Sequence, residues 1–244
     1  MAGRAWVFVR GLSRGAGHWA DFPELFARRF PDDRIEFLDL PGNGERFREQ
    51  TPIEMDRAVD ALRERSGFVR DGVAVHGLAH SLGAMVACEW MRRYPGDFAR
   101  LHLMNTSGRD LGRPWGRFNP RQAPILGQTL FAADAFERER LTLSVIANNR
   151  DRIEALLPRL SAYTAAHPVD WRNLARQLML AARMKFPSQP PGDIRLIGAR
   201  GDRLVSVENT IQLARRWGLE PALHPWAGHD LPVDDPQWLI EQLL

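Results

Sequence analysis

The sequence predicts an α/β protein: a mostly parallel central sheet with helices on both faces, carrying a helical insertion. Three observations point there. Up to Met104, short apolar runs alternate with amphipathic stretches. Between Gly108 and Pro191 that alternation gives way to helical patterns and resumes only at Ile194. One apolar run, near Val75, passes through a tight turn directly into a helix at Leu82. The expected division is a core of residues 1–107 and 192–244, with a helical cap over residues 108–191. At 244 residues this fits one large domain, since domains run to about 250 residues.

Taken in order, Trp6–Val9 reads as a buried strand ending at Arg10-Gly11, and Phe22, Leu25, Phe26 and Phe30 as one helical face. Ile35–Leu40 reads as a second strand, closed by Pro41-Gly42-Asn43-Gly44. Thr51-Pro52-Ile53-Glu54 has the form of a capping box with proline at the first helical position. Met55, Ala58, Val59 and Leu62 follow at helical spacing. Val73–His76 is a third strand, Leu82–Arg93 a helix and Leu101–Met104 a fourth strand. Within the insertion, Trp171, Leu174, Leu178 and Ala182 share a helical face, and Pro187, Pro190 and Pro191 end the run. Ile194–Ile197 restores sheet character. Val207–Trp217 is a helix closed by Gly218, Ala222–His224 a last strand, and Asp235-Pro236 opens a terminal helix through Leu244.

Composition removes several classes. Hydrophobic residues at 44% and charged residues at 26% exclude disordered, collagenous and coiled-coil chains. The 33 basic and 30 acidic residues leave +3, and they interleave, as in Arg138-Glu139-Arg140. That is the pattern of solvated helix faces, so neither nucleic acid nor a membrane is an expected partner. Cys88 is the single cysteine, so no intrachain disulfide can form. No run approaches the ~18 apolar residues of a membrane span. The Ala5–Val9 run is shorter than the roughly 7–15 residues of a secretory signal. A cytoplasmic protein is the expectation, with no signal for an oligomeric state.

Chemistry should sit in the turns after the strands. Val75–Ala84 runs strand, tight turn, helix, with Ser81 at the turn and small Ala79 and Gly83 two residues to either side. That is the arrangement of a nucleophile elbow, in which a strained serine projects its hydroxyl from the sheet. The Leu82 N–H and the positive end of the helix would face an oxyanion. The competing reading is a plain N-cap serine. Asp202, in Gly198–Asp202, follows a strand and is either a carboxylate that orients a histidine or a turn residue. His229, after the last strand, is a general base or a packing residue. His76 and His102 fall within strands; His80 adjoins the turn and is expected to line the pocket while pointing away from the base position.

In order and placement, these residues resemble the α/β-hydrolase superfamily, and its small capped, esterase-like members most of all. The matching segments are Arg10-Gly11-Leu12, Asp39–Gly44, the turn around Ser81, Gly198–Asp202 and Gly228-His229. The resemblance implies Ser81 as nucleophile, Asp202 as acid and His229 as base, with the N–H groups of Leu12 and Leu82 as oxyanion hole. The chain departs from the family pattern at Arg10, where histidine is usual, and at Ala79, where glycine is usual. Arg10 either holds its loop in shape or favours an anionic substrate.

The implied reaction is acyl transfer from a small-molecule substrate, an ester with a small or medium hydrophobic acyl group. Thioester, lactone, amide, peptide or carbon–carbon cleavage, acyl transfer to another acceptor, and a low-turnover receptor all use the same frame. No cofactor is needed, and no metal-ligand spacing occurs. Trp19, Phe118 and Phe131 are candidate pocket walls, with Trp115, Leu126, Leu130 and Phe136 supplying further apolar surface from the cap.

Overall fold

The computed structural model describes residues 3–244. A six-stranded, wholly parallel sheet forms its centre, in the order β2-β1-β3-β4-β5-β6. The strands are β1 (Ala5–Val9), β2 (Arg34–Phe37), β3 (Val75–His80), β4 (Phe98–Met104), β5 (Ile194–Ala199) and β6 (Ala222–His224). The chain leaves β1 outward to β2, then crosses back to β3 on the other side of β1. The carboxyl ends of β1 and β3 therefore flank the point where strand order reverses, which is where such sheets open a ligand crevice.

Side-chain alternation sorts the strands onto two faces. Trp6, Phe8, Leu78, Met104 and Ile197 join one buried layer with α1 (Phe22–Arg29). Val7, Val9, Ala79, Leu101, Leu103 and Leu196 join the other, against α2 (Met55–Arg63) and, beyond the one-turn α3 (Gly67–Arg70), α4 (Leu82–Arg93). Between β4 and β5 the described residues hold no strand. That segment carries α5 (Pro114–Arg117), α6 (Ala123–Gln128), α7 (Ala135–Ile146), α8 (Arg150–Ala166) and α9 (Trp171–Arg183). Leu143, Ile146, Leu156 and Leu160 give it a small core of its own, closed by Ala20 and Val233. Leu180, Met184 and Phe186, at the end of the segment, pack instead into the main core. After β5 come α10 (Glu208–Trp217), which lies on the α4 side, then α11 (Leu231–Asp234) and α12 (Pro236–Glu241), which lie on the α1 side.

Several boundaries differ from the sequence reading. β2 ends at Phe37 because Asp39 turns the chain: its carboxylate accepts from Ala16 N and Glu45 N at 2.8 and 3.0 Å. Thr51 caps no helix. Its hydroxyl donates to the Pro41 carbonyl at 2.6 Å, and the helix starts at Met55 with no side-chain cap. β3 extends to His80, and β4 begins at Phe98 rather than Leu101. The terminal helix stops at Glu241, but Asp235 caps it as expected, accepting from Trp238 N at 3.0 Å. Gly218 closes α10 in the left-handed conformation, which glycine adopts without steric cost.

Burial holds three histidines neutral: it pushes His18 and His80 well below their ordinary pKa and His102 to about 4. The unfolded chain protonates them near pH 6.5. Their contribution is therefore full above that value and fades as pH falls through it. Unfolding free energy by urea titration should drop between pH 7 and 5 by about 2 kcal/mol per histidine that stays neutral. Burial raises the carboxyls of Asp39 and Asp234, which act in the opposite sense, so the imidazoles set the direction of any fall in this window. A flat profile across it would show that they are protonated in the fold.

Candidate active site

β3 delivers Ser81 into a turn with φ 55° and ψ −116°, immediately before the first residue of α4. A non-glycine residue held there stores strain on the order of 1–3 kcal/mol. Its backbone is pinned on both sides: Ser81 N donates to the Met104 carbonyl at 2.8 Å, and Thr106 Oγ1 donates to the Ser81 carbonyl at 3.0 Å. The Ser81 side chain caps nothing, which removes the N-cap reading. Neighbouring backbone presses close. A Cβ on Gly83 would collide with the Arg10 carbonyl, and one on Gly11 would lie 2.9 Å from Ser81 Cβ and 3.4 Å from Oγ. Ala79, where the family pattern has glycine, is buried without difficulty.

The same contact brings the loop after β1 against the serine. Asn43 Nδ2 donates to the carbonyls of Gly11 and Arg14, both at 3.1 Å, and Gln177 of α9 accepts from Ser13 N at 2.8 Å. Gln177 also donates to Asn43 Oδ1 at 2.7 Å. Leu12 is thus held between two fixed points. Leu82, as the first helical residue, has an N–H with no intrahelical acceptor.

At the far strands, Asp202 and His229 meet. Asp202 Oδ1 accepts from the N–H groups of Leu204 and Val205, each at 2.8 Å, and Oδ2 accepts from His229 Nδ1 at 2.7 Å. A carboxylate held this way fixes the ring with hydrogen on Nδ1 and leaves Nε2 as the basic atom. No carboxylate follows β4; Asn105 stands there, with φ 46°. Asn105 Nδ2 and His80 Nε2 both donate to the His229 carbonyl at 2.8 Å. The His80 ring lies 4.6 Å from that of His229, contrary to the expectation that it points away: even-numbered β3 side chains all face the layer into which the His229 loop folds. Among the described residues no hydrogen bond joins Ser81 Oγ to His229, so this arrangement leaves the imidazole and the hydroxyl unlinked.

Arg10 does not reach a pocket. It is 2% exposed, and its guanidinium pairs with Asp230 through both terminal nitrogens, at 3.0 and 2.6 Å. It also lies over the Trp19 ring at 5.0 Å. Trp19 is fully buried among Phe8 and Phe22 and so packs in the core rather than walling a pocket. Phe118 and Phe131 are 41% and 89% exposed and stand on the surface of the helical segment. A groove of about 420 Å³ opens beside Asp202, lined in part by Trp115, Asn119, Ser206 and Asn209, but neither Ser81 nor His229 borders it. Sequence reasoning placed Asn43 only in the turn after the second strand and missed its bonds, and it missed Gln177 and Asn105 altogether, since a buried amide carries no periodic signal. It also missed the Arg10–Asp230 pair, although a cation at the end of a buried strand and an acid after His229 could have suggested it. Among the described residues no group of three or more acids, histidines or cysteines is placed to hold a metal ion.

Comparison with known proteins agrees with this frame. The model of the alpha/beta hydrolase family matches residues 6–242. Pimeloyl-[acyl-carrier protein] methyl ester esterase of Methylococcus capsulatus is 32% identical over 110 residues, which is 44% of this chain and 39% of that protein. The chain therefore aligns with well under half the length of this relative. An esterase from Rhodococcus sp. ECU1013 superimposes with TM-score 0.71 at 17% identity, covering 99% of this chain and 89% of the other. A meta-cleavage product hydrolase from Pseudomonas fluorescens IP01 does so with TM-score 0.71, 17% identity, and coverage of 99% and 90%. By its fold and by the family match along nearly its whole length, the chain belongs to the alpha/beta hydrolase family.

Proposed function

We propose that the chain is a serine hydrolase that cleaves a carboxylic ester with a small or medium hydrophobic acyl group. The observation that carries the proposal is the 2.7 Å bond from His229 Nδ1 to a fixed Asp202 carboxylate, on the same sheet rim as a strained Ser81. In this reading His229 Nε2 takes the proton as Ser81 Oγ attacks the carbonyl, and Asp202 stabilises the imidazolium. The oxyanion accepts from the N–H groups of Leu12 and Leu82. His229 returns the proton to the departing alkoxide, and water, activated by the same imidazole, releases the acid. The unlinked hydroxyl is compatible with this, because such bonds often tighten only when substrate is present.

The choice of an ester is supported by the Methylococcus capsulatus relative, a methyl ester esterase, and by the Rhodococcus esterase, each over the share of chain given above. The helical segment between β4 and β5 would act as the cap that sets acyl size.

Three outcomes follow. With p-nitrophenyl esters of short and medium chain, Ser81→Ala or His229→Ala should lower kcat by roughly 10⁴-fold or more with Tm unchanged, and a fluorophosphonate probe should label wild type but not Ser81→Ala. Comparable turnover or labelling in Ser81→Ala would show that another residue is the nucleophile. Asp202→Asn should fall to a similar degree, and wild-type turnover there would assign the acid elsewhere. Gly11→Ala should fold but lose about 10²-fold in kcat, because its methyl occupies the space beside Ser81 Cβ. Wild-type kcat in that variant would remove the β1 loop from the site.

A further inference from the structure

Resting on the serine-hydrolase reading, we infer that the Arg10–Asp230 ion pair is a positioning device for the reaction: it sets the distance between the oxyanion loop and the general base. Arg10 lies two residues before Leu12, and Asp230 directly follows His229. Their side chains form two hydrogen bonds, at 3.0 and 2.6 Å, with both side chains at most 1% exposed. No other side-chain hydrogen bond joins the two loops directly among the described residues. Asn105 and His80 hold His229 from β4 and β3, and Asn43 and Gln177 hold residues 11–14 from the opposite side. The pair supplies the hydrogen bonds that tie loop to loop, with the Arg14 guanidinium as a longer ionic contact beside it.

Charge and energetics favour this role over a stabilising one. A buried ion pair contributes little net stability, since desolvation of both ions offsets their attraction. Its geometry, however, is specific: a planar guanidinium gripping a carboxylate at two points fixes orientation as well as distance. Asp230 is further held through Asp230 N, which donates to the Ile146 carbonyl at 2.8 Å, and the guanidinium of Arg14 stands 3.7 Å from its Oδ2. Arg14 in turn donates to Glu139 of α7 at 2.8 Å. The pair is thus anchored to the helical segment without depending on it. Arg10 is too enclosed to bind an anionic substrate.

The test is steady-state kinetics with a p-nitrophenyl ester, together with Tm, on Arg10→Met/Asp230→Leu, Arg10→Lys and Ser81→Ala. The double variant removes both buried charges and should keep a Tm near or above wild type, while kcat falls about 10- to 100-fold and KM stays within about threefold. Arg10→Lys keeps the charge but loses the two-point grip, and should show the same kcat loss at near wild-type Tm. Wild-type kcat in the double variant would overturn the proposal. Should the double variant not fold, Arg10→Lys decides alone, and wild-type kcat there overturns it. Ser81→Ala separates the premises: its inactivity with unaffected Arg10 variants refutes only the ion-pair role, whereas its activity refutes the serine mechanism beneath it.

Discussion

The rest of the structure depends on the crowding where the ends of β1 and β3 meet. Strand order reverses there, so the loop after β1 and the turn after β3 must share one small volume. Residue 81 is forced to φ 55°, Gly83 leaves room for the Arg10 carbonyl, and Gly11 lies against the serine. The strain is tolerated because α4 is anchored beneath it. Leu82, Met85, Val86, Trp90 and Met91 are all buried in the main core, and that burial outweighs a local cost on the order of 1–3 kcal/mol. The result is a hydroxyl standing off a rigid helix and strand rather than on a mobile loop.

A second constraint is electrostatic. Arg10, Arg14, Glu139 and Asp230 are all buried between the β1 loop, the His229 loop and α7. Four charges in such a place must be matched, because an unpaired buried ion costs several kcal/mol. Here the two cations and two anions match by sign, and the pairing fixes which loop lies against which. The geometry of the proposed site is thus specified by contacts that lie outside it, in the layer between sheet and helical segment.

The sheet and the site were legible in the sequence to different degrees, for physical reasons. Short, nearly continuous apolar runs in Trp6–Val9 and Leu101–Met104 read as buried strands, because both of their faces are enclosed. The elbow was legible because a sharp strand-to-helix turn requires small residues at fixed offsets, here Ala79 and Gly83. The meeting of Asp202 with His229 followed from their placement after successive strands of one sheet. What failed was local: Thr51 had the form of a helix cap, but a nearby carbonyl competed for its hydroxyl. The pocket could not be read from aromatic content, since Trp19 and Phe131 look alike in sequence, yet one is enclosed in the core and the other is 89% exposed. Tertiary contacts such as Asn105 to His229 leave no short-range pattern.

The central claim is that Ser81, His229 and the two N–H groups of Leu12 and Leu82 surround a single reacting carbon. A crystal structure of the protein inactivated by a phosphonate ester tests it most directly. The account predicts a covalent bond from Ser81 Oγ to phosphorus, one phosphoryl oxygen accepting from Leu12 N and Leu82 N, and His229 Nε2 within hydrogen-bond reach of Oγ or of the leaving-group oxygen. Phosphorus attached to another residue, or a phosphoryl oxygen bound away from both N–H groups, would contradict it.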